Sequence, residues 1–308
     1  MTTFAFDEGD VPTGGTRIYG APSAAISLTW REGTILIEGI IQRVDGTIGP
    51  EALQRLVEIV DREGPAAMAR VEGDFVALVR AHHHLHAFKS FTSQFQIYYR
   101  EADRLIANRL FAFWDAAMGQ WDEDYFARHV LIVPGYQHLL RETALKGVRR
   151  VLPGELVSLG STIVRQQLVR RNYIYSLDPI QSREEVAERI QYLLRDAVKT
   201  RLAARPGAHI CVEISGGLDS SFIACLLGEQ LSGGIRGVMF SQPRLPSHAI
   251  SERFARDVAE RYKIDLTVLP PEALPMAAPD VQGYSDEPSD FFWFGDIFSR
   301  AVADLADP

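Results

Sequence analysis

Cysteine and long apolar runs are both scarce in this sequence. Only two cysteines occur in 308 residues, and both Cys211 and Cys225 lie inside apolar patterns. They are predicted to be small buried side chains, since two such residues make neither a disulfide framework nor a zinc site. No apolar run approaches the roughly 20 residues of a membrane-spanning helix. No basic and then apolar segment follows Met1, so we expect a cytoplasmic protein without a membrane partner.

Long basic segments are also missing. The net charge is −8, and no lysine- or arginine-rich run offsets it. This balance argues against a nucleic-acid partner. The apolar fraction of 46% and the charged fraction of 23% are typical of a soluble globular protein. A chain of this length is long enough for two domains.

One stretch near the middle of the chain has the pattern of an anion-binding loop. The apolar run from Ala208 to Ile214 predicts a buried strand that stops at Ser215-Gly216-Gly217. A helical pattern then begins, because Leu218, Phe222 and Leu226 are four residues apart. Glycines let the backbone approach an anion, and the free N–H groups at a helix start favour negative charge. The order of strand, glycine turn and helix therefore predicts a phosphate site.

Polar side chains in the same stretch fit that chemistry. Ser215, Ser220 and Ser221 supply hydroxyl donors. Asp219 would repel a phosphate, so a cation is needed between them, most simply Mg²⁺. No lysine follows Gly217, which excludes a Walker A loop.

The Ser-Gly-Gly-Leu-Asp-Ser-Ser segment at 215–221 resembles the pyrophosphate loop of enzymes that cleave ATP to AMP and pyrophosphate. The family it resembles is asparagine synthetase and its relatives. The resemblance implies Mg²⁺ binding by Asp219. It also implies that ATP and pyrophosphate contact the loop and its flanks, namely Ile214, Ser215, Gly216, Gly217, Leu218, Asp219, Ser220 and Ser221.

Strands and helices alternate around this loop. Ser182-Arg-Glu-Glu185 is a capping box that predicts a helix start. After the loop and its helix, a strand at Ile235–Phe240, a helix at Ser247–Tyr262 and a strand at Asp265–Leu269 are predicted. Such alternation indicates a parallel sheet, with ligands at the carboxyl ends of its strands. The predicted buried faces are Val186, Ile190, Leu193, Leu194, Ala197 and Val198 on the first helix, and Ile250, Phe254, Val258 and Tyr262 on the last.

The same resemblance suggests where the base and the substrate bind. It implies that adenine lies beside Phe240 and Ser241, with Val238 next to it. A place in the strand core is an equally good interpretation of the apolar Val238. Tyr284-Ser-Asp-Glu-Pro-Ser289 is similar to a segment of bacterial relatives that lies between ATP and the acceptor. Asp286 and Glu287 are therefore expected in the substrate cleft.

The first half of the chain has a different pattern, with short strands and polar turns that are typical of antiparallel sheets. One helix is predicted between Gly49-Pro50 and Gly64-Pro65, and another at Asp122–Val130. The predicted strands are Thr34–Ile41, Phe75–Arg80, His86–Phe91, Gln96–Tyr99, Arg104–Asn108 and Glu155–Leu159.

Three segments of this half resemble the glutaminase-type amidotransferase domain of the same family. They are Val71–Leu78, Phe91–Tyr99 and Lys146–Gly154, in the family's order and spacing. The resemblance implies an N-terminal-nucleophile-type α-β-β-α sandwich.

The residues that such a glutaminase needs are replaced. A cysteine after Met1 would be the nucleophile, and Thr2 stands there instead. The glutamine-holding Asn-Gly-Glu is replaced around Glu38-Gly39-Ile40, and Asp-Arg-Phe by Thr92–Phe95. A Thr2 nucleophile is the alternative, but a degenerate domain is favoured. The histidine cluster at His82–His86 is predicted to be an exposed turn rather than a metal site.

Together these patterns predict an α/β chain in two parts. Residues 1–165 are expected to form the degenerate amidotransferase-like sandwich, 166–181 a linker, and 182–308 the N-terminal part of an ATP-pyrophosphatase domain. The family continues with a second pyrophosphate-contacting loop that this sequence lacks. We therefore expect the remaining synthetase segment in the same chain or in another one.

The function implied is ATP-dependent amide formation, in which a carboxylate substrate is activated as an acyl-adenylate and pyrophosphate leaves. Without a glutaminase, the amine would belong to the substrate, as in β-lactam synthetases and lasso-peptide cyclases. The preferred prediction is a lasso-peptide macrolactam (isopeptide) cyclase that acts on a precursor peptide alongside its leader protease. Alternatives are an asparagine synthetase-like or β-lactam synthetase-like ligase of a small molecule, and a non-catalytic scaffold. The sequence does not identify the catalytic base.

Overall fold

The chain is described here from a computed structural model, and it divides into two compact units. The first unit contains the described residues up to 169, and the second contains those from 182 onwards. The structure describes residues 3–6, 17–19, 25–30, 33–81, 84–93, 95–114, 120–131, 140–160, 162–169, 182–241 and 243–270. Within these ranges, no helix combines the length and the apolar character needed to cross a membrane.

The described residues of the first unit form two antiparallel sheets and two helices. The helices are α1 (Pro50–Glu63) and α2 (Glu123–Leu131), and short 3-10 turns cover Pro65–Arg70 and Leu110–Phe113. The strands are β1 (Thr3–Phe6), β2 (Arg17–Tyr19), β3 (Ala25–Trp30), β4 (Gly33–Val44), β5 (Thr47–Ile48), β6 (Val71–Ala81), β7 (His84–Lys89), β8 (Tyr98–Arg100), β9 (Leu105–Ala107), β10 (Val148–Arg150), β11 (Glu155–Leu159) and β12 (Ile163–Gln167). The larger sheet has the order β12-β11-β7-β6-β4-β3 with β5 beside β4, and the smaller has β10-β8-β9-β1-β2.

Three apolar clusters define four layers. Alternate residues of a strand face opposite sides of its sheet, so Ile35 packs with Leu56 of α1 while Leu36 belongs to a second cluster. That second cluster includes Tyr99 of the smaller sheet and therefore lies between the two sheets. A third cluster joins the other face of the smaller sheet to Tyr125 of α2. The layers run helix, sheet, sheet, helix, which confirms the predicted α-β-β-α sandwich.

The strand predictions hold with shifted ends. The larger sheet extends to Gln167, which pairs with Glu155, so it continues two residues past the predicted domain end at 165. His84 and His86 lie on β7 rather than in a turn, and His86 Nδ1 is 2.8 Å from Ser158 Oγ. The first two histidines of the cluster lie outside the described residues, as does Thr2.

A buried ion pair forms at Glu38, in the segment where the resemblance predicted a replaced Asn-Gly-Glu. The Glu38 side chain is almost fully buried, and its carboxylate accepts hydrogen bonds from Arg109 Nη2 at 2.5 Å and Asn108 Nδ2 at 2.8 Å. The adjacent Gly39 has a φ of 119°, and a Cβ there would lie 2.1 Å from the Asp74 carbonyl oxygen. This segment is therefore filled by its own side chains and backbone.

Removing the Glu38 carboxylate is expected to destabilise the first unit strongly. Glu38→Ala should lower the free energy of unfolding by about 3 kcal/mol, because the buried donors lose their shared acceptor. The matched control is Glu72→Ala in the exposed pair with Arg43, where the N–O distance is 3.1 Å. This control should cost less than about 1 kcal/mol. Urea denaturation followed by tryptophan fluorescence measures both, and equal losses would contradict the structural role of Glu38.

The described residues of the second unit form a parallel sheet and the helices that pack on it. Its elements are α3 (Arg183–Ala204), β13 (Ile210–Glu213), α4 (Leu218–Gln230), β14 (Ile235–Phe240), α5 (His248–Tyr262) and β15 (Asp265–Leu269). The strands pair in the order β13-β14-β15, and both pairings are parallel, as predicted. The capping box is also confirmed: Ser182 Oγ accepts from Glu185 N, and the Glu185 side chain accepts from Ser182 N.

Two predicted helix faces are only partly correct. On α3, Val186, Ile190 and Leu193 are exposed, at 42%, 51% and 49%, and only the C-terminal half contacts the core, through Val198 and Leu202. The apolar face of α3 is longer than the part of the helix that packs against the core, so its N-terminal residues stay exposed. Cys211 and Cys225 are free thiols and only partly buried, where full burial was predicted.

On α5, the exposed residues include Ile250 and Phe254, while Ala255 and Ala259 are buried. The buried face consists of small side chains because α5 approaches its neighbours closely. A Cβ at Gly228 of α4 would lie 2.5 Å from the Tyr262 ring. Ile250 and Phe254 therefore turn outward, opposite to the prediction from hydrophobic spacing, whereas Val258 and Tyr262 pack against the core as predicted.

Candidate functional site

The glycine loop begins where the sheet ends. Ile214 lies just past β13, is fully buried, and its N–H donates to the Val238 carbonyl at 2.8 Å. This hydrogen bond holds the start of the loop against the carboxyl end of β14. The predicted loop is therefore anchored at the edge of the sheet where parallel α/β proteins bind ligands.

Two serine hydroxyls organise the turn. Ser215 Oγ and Ser220 Oγ are 2.9 Å apart, and Ser220 Oγ also accepts from Ser215 N at 3.1 Å. Gly217 N donates to Ser215 Oγ at 3.3 Å. The backbone of the turn is thus closed by its own hydroxyls, and both serines remain at the surface where a ligand can reach them.

The first turn of α4 is open. Gly217 is the N-cap residue and makes no side-chain capping bond, while Ser221 N begins the helical pattern by donating to Gly217 O. Among the described residues, no group accepts from the N–H groups of Leu218 or Asp219. Uncapped N–H groups and the positive end of a helix favour an anion at this position. Asp219 is exposed in the same turn.

Gly216 is required by the contact between the loop and α5. Its φ is 77°, in the left-handed region, and a Cβ would lie 2.0 Å from the Ser251 carbonyl oxygen. A larger residue would have to move either the loop or the first turns of α5. This close approach fixes one wall of the site.

A small cleft lies beside the loop. Its volume is about 110 Å³, below the 300–1,000 Å³ typical of sites for drug-sized ligands, so it would hold one part of a nucleotide. It combines an apolar wall with hydroxyls, one imidazole and one carboxyl group. The lining residues are Glu213, Ser215, Met239, Phe240, Leu245, Ser247, His248 and Ser251.

A polar chain runs from the cleft along α5. His248 Nε2 lies 3.2 Å from Ser241 Oγ and 3.2 Å from Glu252 Oε2. Arg256 donates to Glu252 Oε1 at 2.6 and 2.9 Å. The hydrogen bond from Arg256 lowers the pKa of the Glu252 carboxyl, with a smaller contribution from His248. Glu252 is thus held as a carboxylate, which fixes His248 beside Ser241.

Sequence reasoning missed Glu213. It is the last residue of β13, lines the cleft and is exposed to it. Neighbouring protein atoms remove part of its water, and this desolvation raises the pKa of its carboxyl group. The signal in the sequence is a charged residue inside the apolar run that precedes the glycine turn.

The structure brings most of the predicted site residues to one edge of the sheet. The loop residues 214–221 are contiguous there, Phe240 lines the cleft, and Ser241 is hydrogen-bonded to His248. Val238 is fully buried, so its side chain is part of the strand core in this structure. Asp286 and Glu287 lie outside the described residues. Their predicted place in a substrate cleft stays a prediction.

Residues 189–297 match the family model described as asparagine synthase. The matched segment contains the glycine loop, the cleft and both crossover helices that flank them. It supports an asparagine synthetase-like assignment for this part of the chain, and nothing narrower. No curated protein sequence matches the chain significantly.

Two solved structures show a weak likeness. The allosteric regulatory enzyme of purine biosynthesis aligns with 82% of this chain and 63% of its own, with a TM-score of 0.31 and 11% identity. The second is the glutamine phosphoribosylpyrophosphate amidotransferase from B. subtilis, complexed with ADP and GMP. The alignment covers 79% of this chain and 47% of the amidotransferase chain, with a TM-score of 0.30 and 12% identity. The chain spans less than two thirds of either protein. Scores of this size do not establish a shared fold.

Replacing Gly216 should disrupt the site through the contact with α5. Gly216→Ala is expected to lower the free energy of unfolding by more than about 2 kcal/mol, since it adds both backbone strain and a clash. Gly217→Ala is the matched control: its φ is −79°, and its nearest obstacle is Ser215 Oγ at 3.3 Å. That control should cost about 1 kcal/mol or less.

Amide hydrogen exchange of β13 and α4 measures this local stability. Exchange should accelerate in Gly216→Ala and change little in Gly217→Ala. Equal protection in the two variants would show that the approach to Ser251 does not constrain the loop.

Proposed function

We propose that this chain carries the ATP site of an amide-forming ligase that activates a carboxylate as an acyl-adenylate and releases pyrophosphate. The observation that supports this most is the open start of α4 behind the glycine loop. Uncapped N–H groups, surface hydroxyls and one exposed carboxylate converge there. The asparagine synthase match covers this region, and it favours a nucleotide as the anion.

The loop suits the leaving group of that reaction. As the bond to the α-phosphate breaks, negative charge grows on pyrophosphate. Hydrogen-bond donors fixed in advance stabilise such charge without reorganisation. The N–H groups of Leu218 and Asp219 and the hydroxyls of Ser215, Ser220 and Ser221 would supply these donors. The Ser215–Ser220 contact keeps the hydroxyls in place before the nucleotide arrives.

Magnesium fits the residues present if it arrives with the nucleotide. Asp219 is exposed, and the described residues give its carboxylate no hydrogen bond or ion pair. Among the described residues, no group of three or more potential ligands forms a metal cage by itself. Mg²⁺ often binds one or two carboxylates together with substrate phosphates and waters. When bound, it would supply charge neutralisation for the phosphates, and Asp219 would hold it.

For the acceptor, we favour a peptide whose own amine attacks the activated side-chain carboxyl to close a macrolactam ring. Glu38, Arg109 and Asn108 already occupy the position where the resemblance expects a glutamine-holding segment. Ammonia from glutamine is then not supplied in place. A small-molecule ligase of the asparagine synthetase or β-lactam synthetase type is the alternative, and product analysis by mass spectrometry with peptide and amino-acid substrates separates the two.

Asp219→Asn tests the nucleotide site. With the wild-type protein, exchange of labelled pyrophosphate into ATP should appear once the correct carboxylate and the remaining synthetase segment are supplied. The exchange rate of the variant should be at least about 100-fold lower, because a carboxylate-held Mg²⁺ contributes several kcal/mol of transition-state stabilisation. Asp257→Asn, an exposed carboxylate on α5 outside the cleft, is the matched control and should exchange normally. Normal exchange in Asp219→Asn would exclude this role.

Thr2→Ala tests the first unit. We expect no glutamate release from glutamine by the wild-type protein and unchanged amide formation by the variant. The reason is that the glutamine-holding residues are replaced and Glu38 is already paired. Glutamate release that disappears in Thr2→Ala would instead show a working threonine nucleophile.

A further inference from the structure

We propose that Glu213 is a specificity-determining residue that accepts a hydrogen bond from the exocyclic amino group of adenine. This inference rests on the proposed ATP site and names the part of the nucleotide that the cleft beside the loop would read. Glu213 would contact the base, whereas the loop and Asp219 would contact the phosphates and their cation.

The position of Glu213 in the sheet places it beside the candidate base-binding residues. Its Cα is the register partner of Val238 on the neighbouring parallel strand. Paired residues of neighbouring strands project from the same face, and so does the residue two positions further along. Glu213, Val238 and Phe240 therefore share one face of the sheet. Glu213 is also separated from Ser215 of the loop by a single residue.

The chemistry of the cleft leaves the carboxylate in need of a donor. Glu213 is the one acidic residue among the described residues that line the cleft, beside apolar Phe240 and Leu245. The described part of the chain gives its side chain no hydrogen bond or ion pair. Glu213 is exposed to the cleft, and the protein atoms around it remove part of its water, which raises the pKa of the carboxyl group. A donor on a bound ligand would offset that loss.

An amino group is the ligand feature that fits. An ionised carboxylate accepts hydrogen bonds and cannot donate. Adenine presents an amino donor at its 6-position, whereas guanine and hypoxanthine present an oxygen acceptor there. The Glu213 carboxylate should attract the amino group of adenine and repel the 6-oxygen of guanine or hypoxanthine. Phe240 supplies an apolar side chain in the same cleft for the ring.

The experiment compares ATP with ITP, which has oxygen in place of the 6-amino group. Calorimetric titration of the full chain with each Mg·nucleotide gives two affinities for each variant. The wild-type protein should prefer ATP by about tenfold or more, as expected for a hydrogen bond to a charged group. Glu213→Met, which keeps length and loses the acceptor, should remove most of this preference. Glu213→Gln, which keeps one acceptor oxygen, should retain part of it.

Two controls separate the base from the phosphates. Asp219→Asn should weaken ATP and ITP by the same factor and leave their ratio unchanged. Glu260→Gln, an exposed carboxyl on α5 outside the cleft, should change neither affinity. If Glu213→Met retains the wild-type ratio, the inference on Glu213 is wrong although the ATP site stands. If the wild-type protein binds neither nucleotide, the proposed function itself fails.

A stability measurement gives an independent readout. Because the pKa of Glu213 is raised in the folded state, ionisation of this side chain opposes folding, and the effect develops as pH rises from the unfolded pKa to the folded pKa. Glu213→Met should therefore raise the thermal midpoint at neutral pH in the absence of nucleotide, while it lowers ATP selectivity. A lower midpoint together with weaker binding of both nucleotides would indicate a structural role and overturn the inference.

Discussion

The contact between Gly216 and the Ser251 carbonyl is the constraint on which the second unit depends. A residue with a Cβ would stand 2.0 Å from that oxygen, so the loop and the start of α5 can meet only at glycine. Because they meet, the cleft closes on one side, and His248 of α5 comes within 3.2 Å of Ser241 at the end of β14. The hydroxyl pair in the turn and the open start of α4 then face the same edge of the sheet.

That edge combines two kinds of binding surface. The loop offers donors with little steric bulk, which suit phosphates, while the cleft offers an apolar wall with one carboxylate, which suits a base. Partial desolvation raises the pKa of the Glu213 carboxyl group, and Asp219 adds a second carboxylate to a turn that otherwise favours anions. Buried or desolvated charge without a protein partner often marks a functional site. Both acids become favourable once a nucleotide and its cation are present, which connects the electrostatics of the unit to its proposed function.

Local signals in the sequence predicted where helices and strands lie, but they did not correctly predict all of the helix residues that face the core. The capping box at Ser182 and the glycine turn at Gly216 act within a few residues, so they could be read directly. The outward orientation of Ile250 and Phe254 depends on how closely α5 approaches its neighbours. Hydrophobic spacing contains no information on that distance, and small residues such as Ala255 proved to be the buried ones. Glu213 was missed for a similar reason. Its neighbours in the cleft become visible from the register between β13 and β14, in which Glu213 pairs with Val238.

We propose that the pyrophosphate end of ATP binds at the loop and that the base binds at the cleft. A crystal structure of the chain with Mg²⁺ and a non-hydrolysable ATP analogue would show both positions. We expect β- and γ-phosphate oxygens within hydrogen-bond distance of Leu218 N and the Ser215 hydroxyl, with the adenine amino group next to Glu213. An analogue bound with its base on the loop, or bound away from the carboxyl ends of β13 and β14, would contradict it.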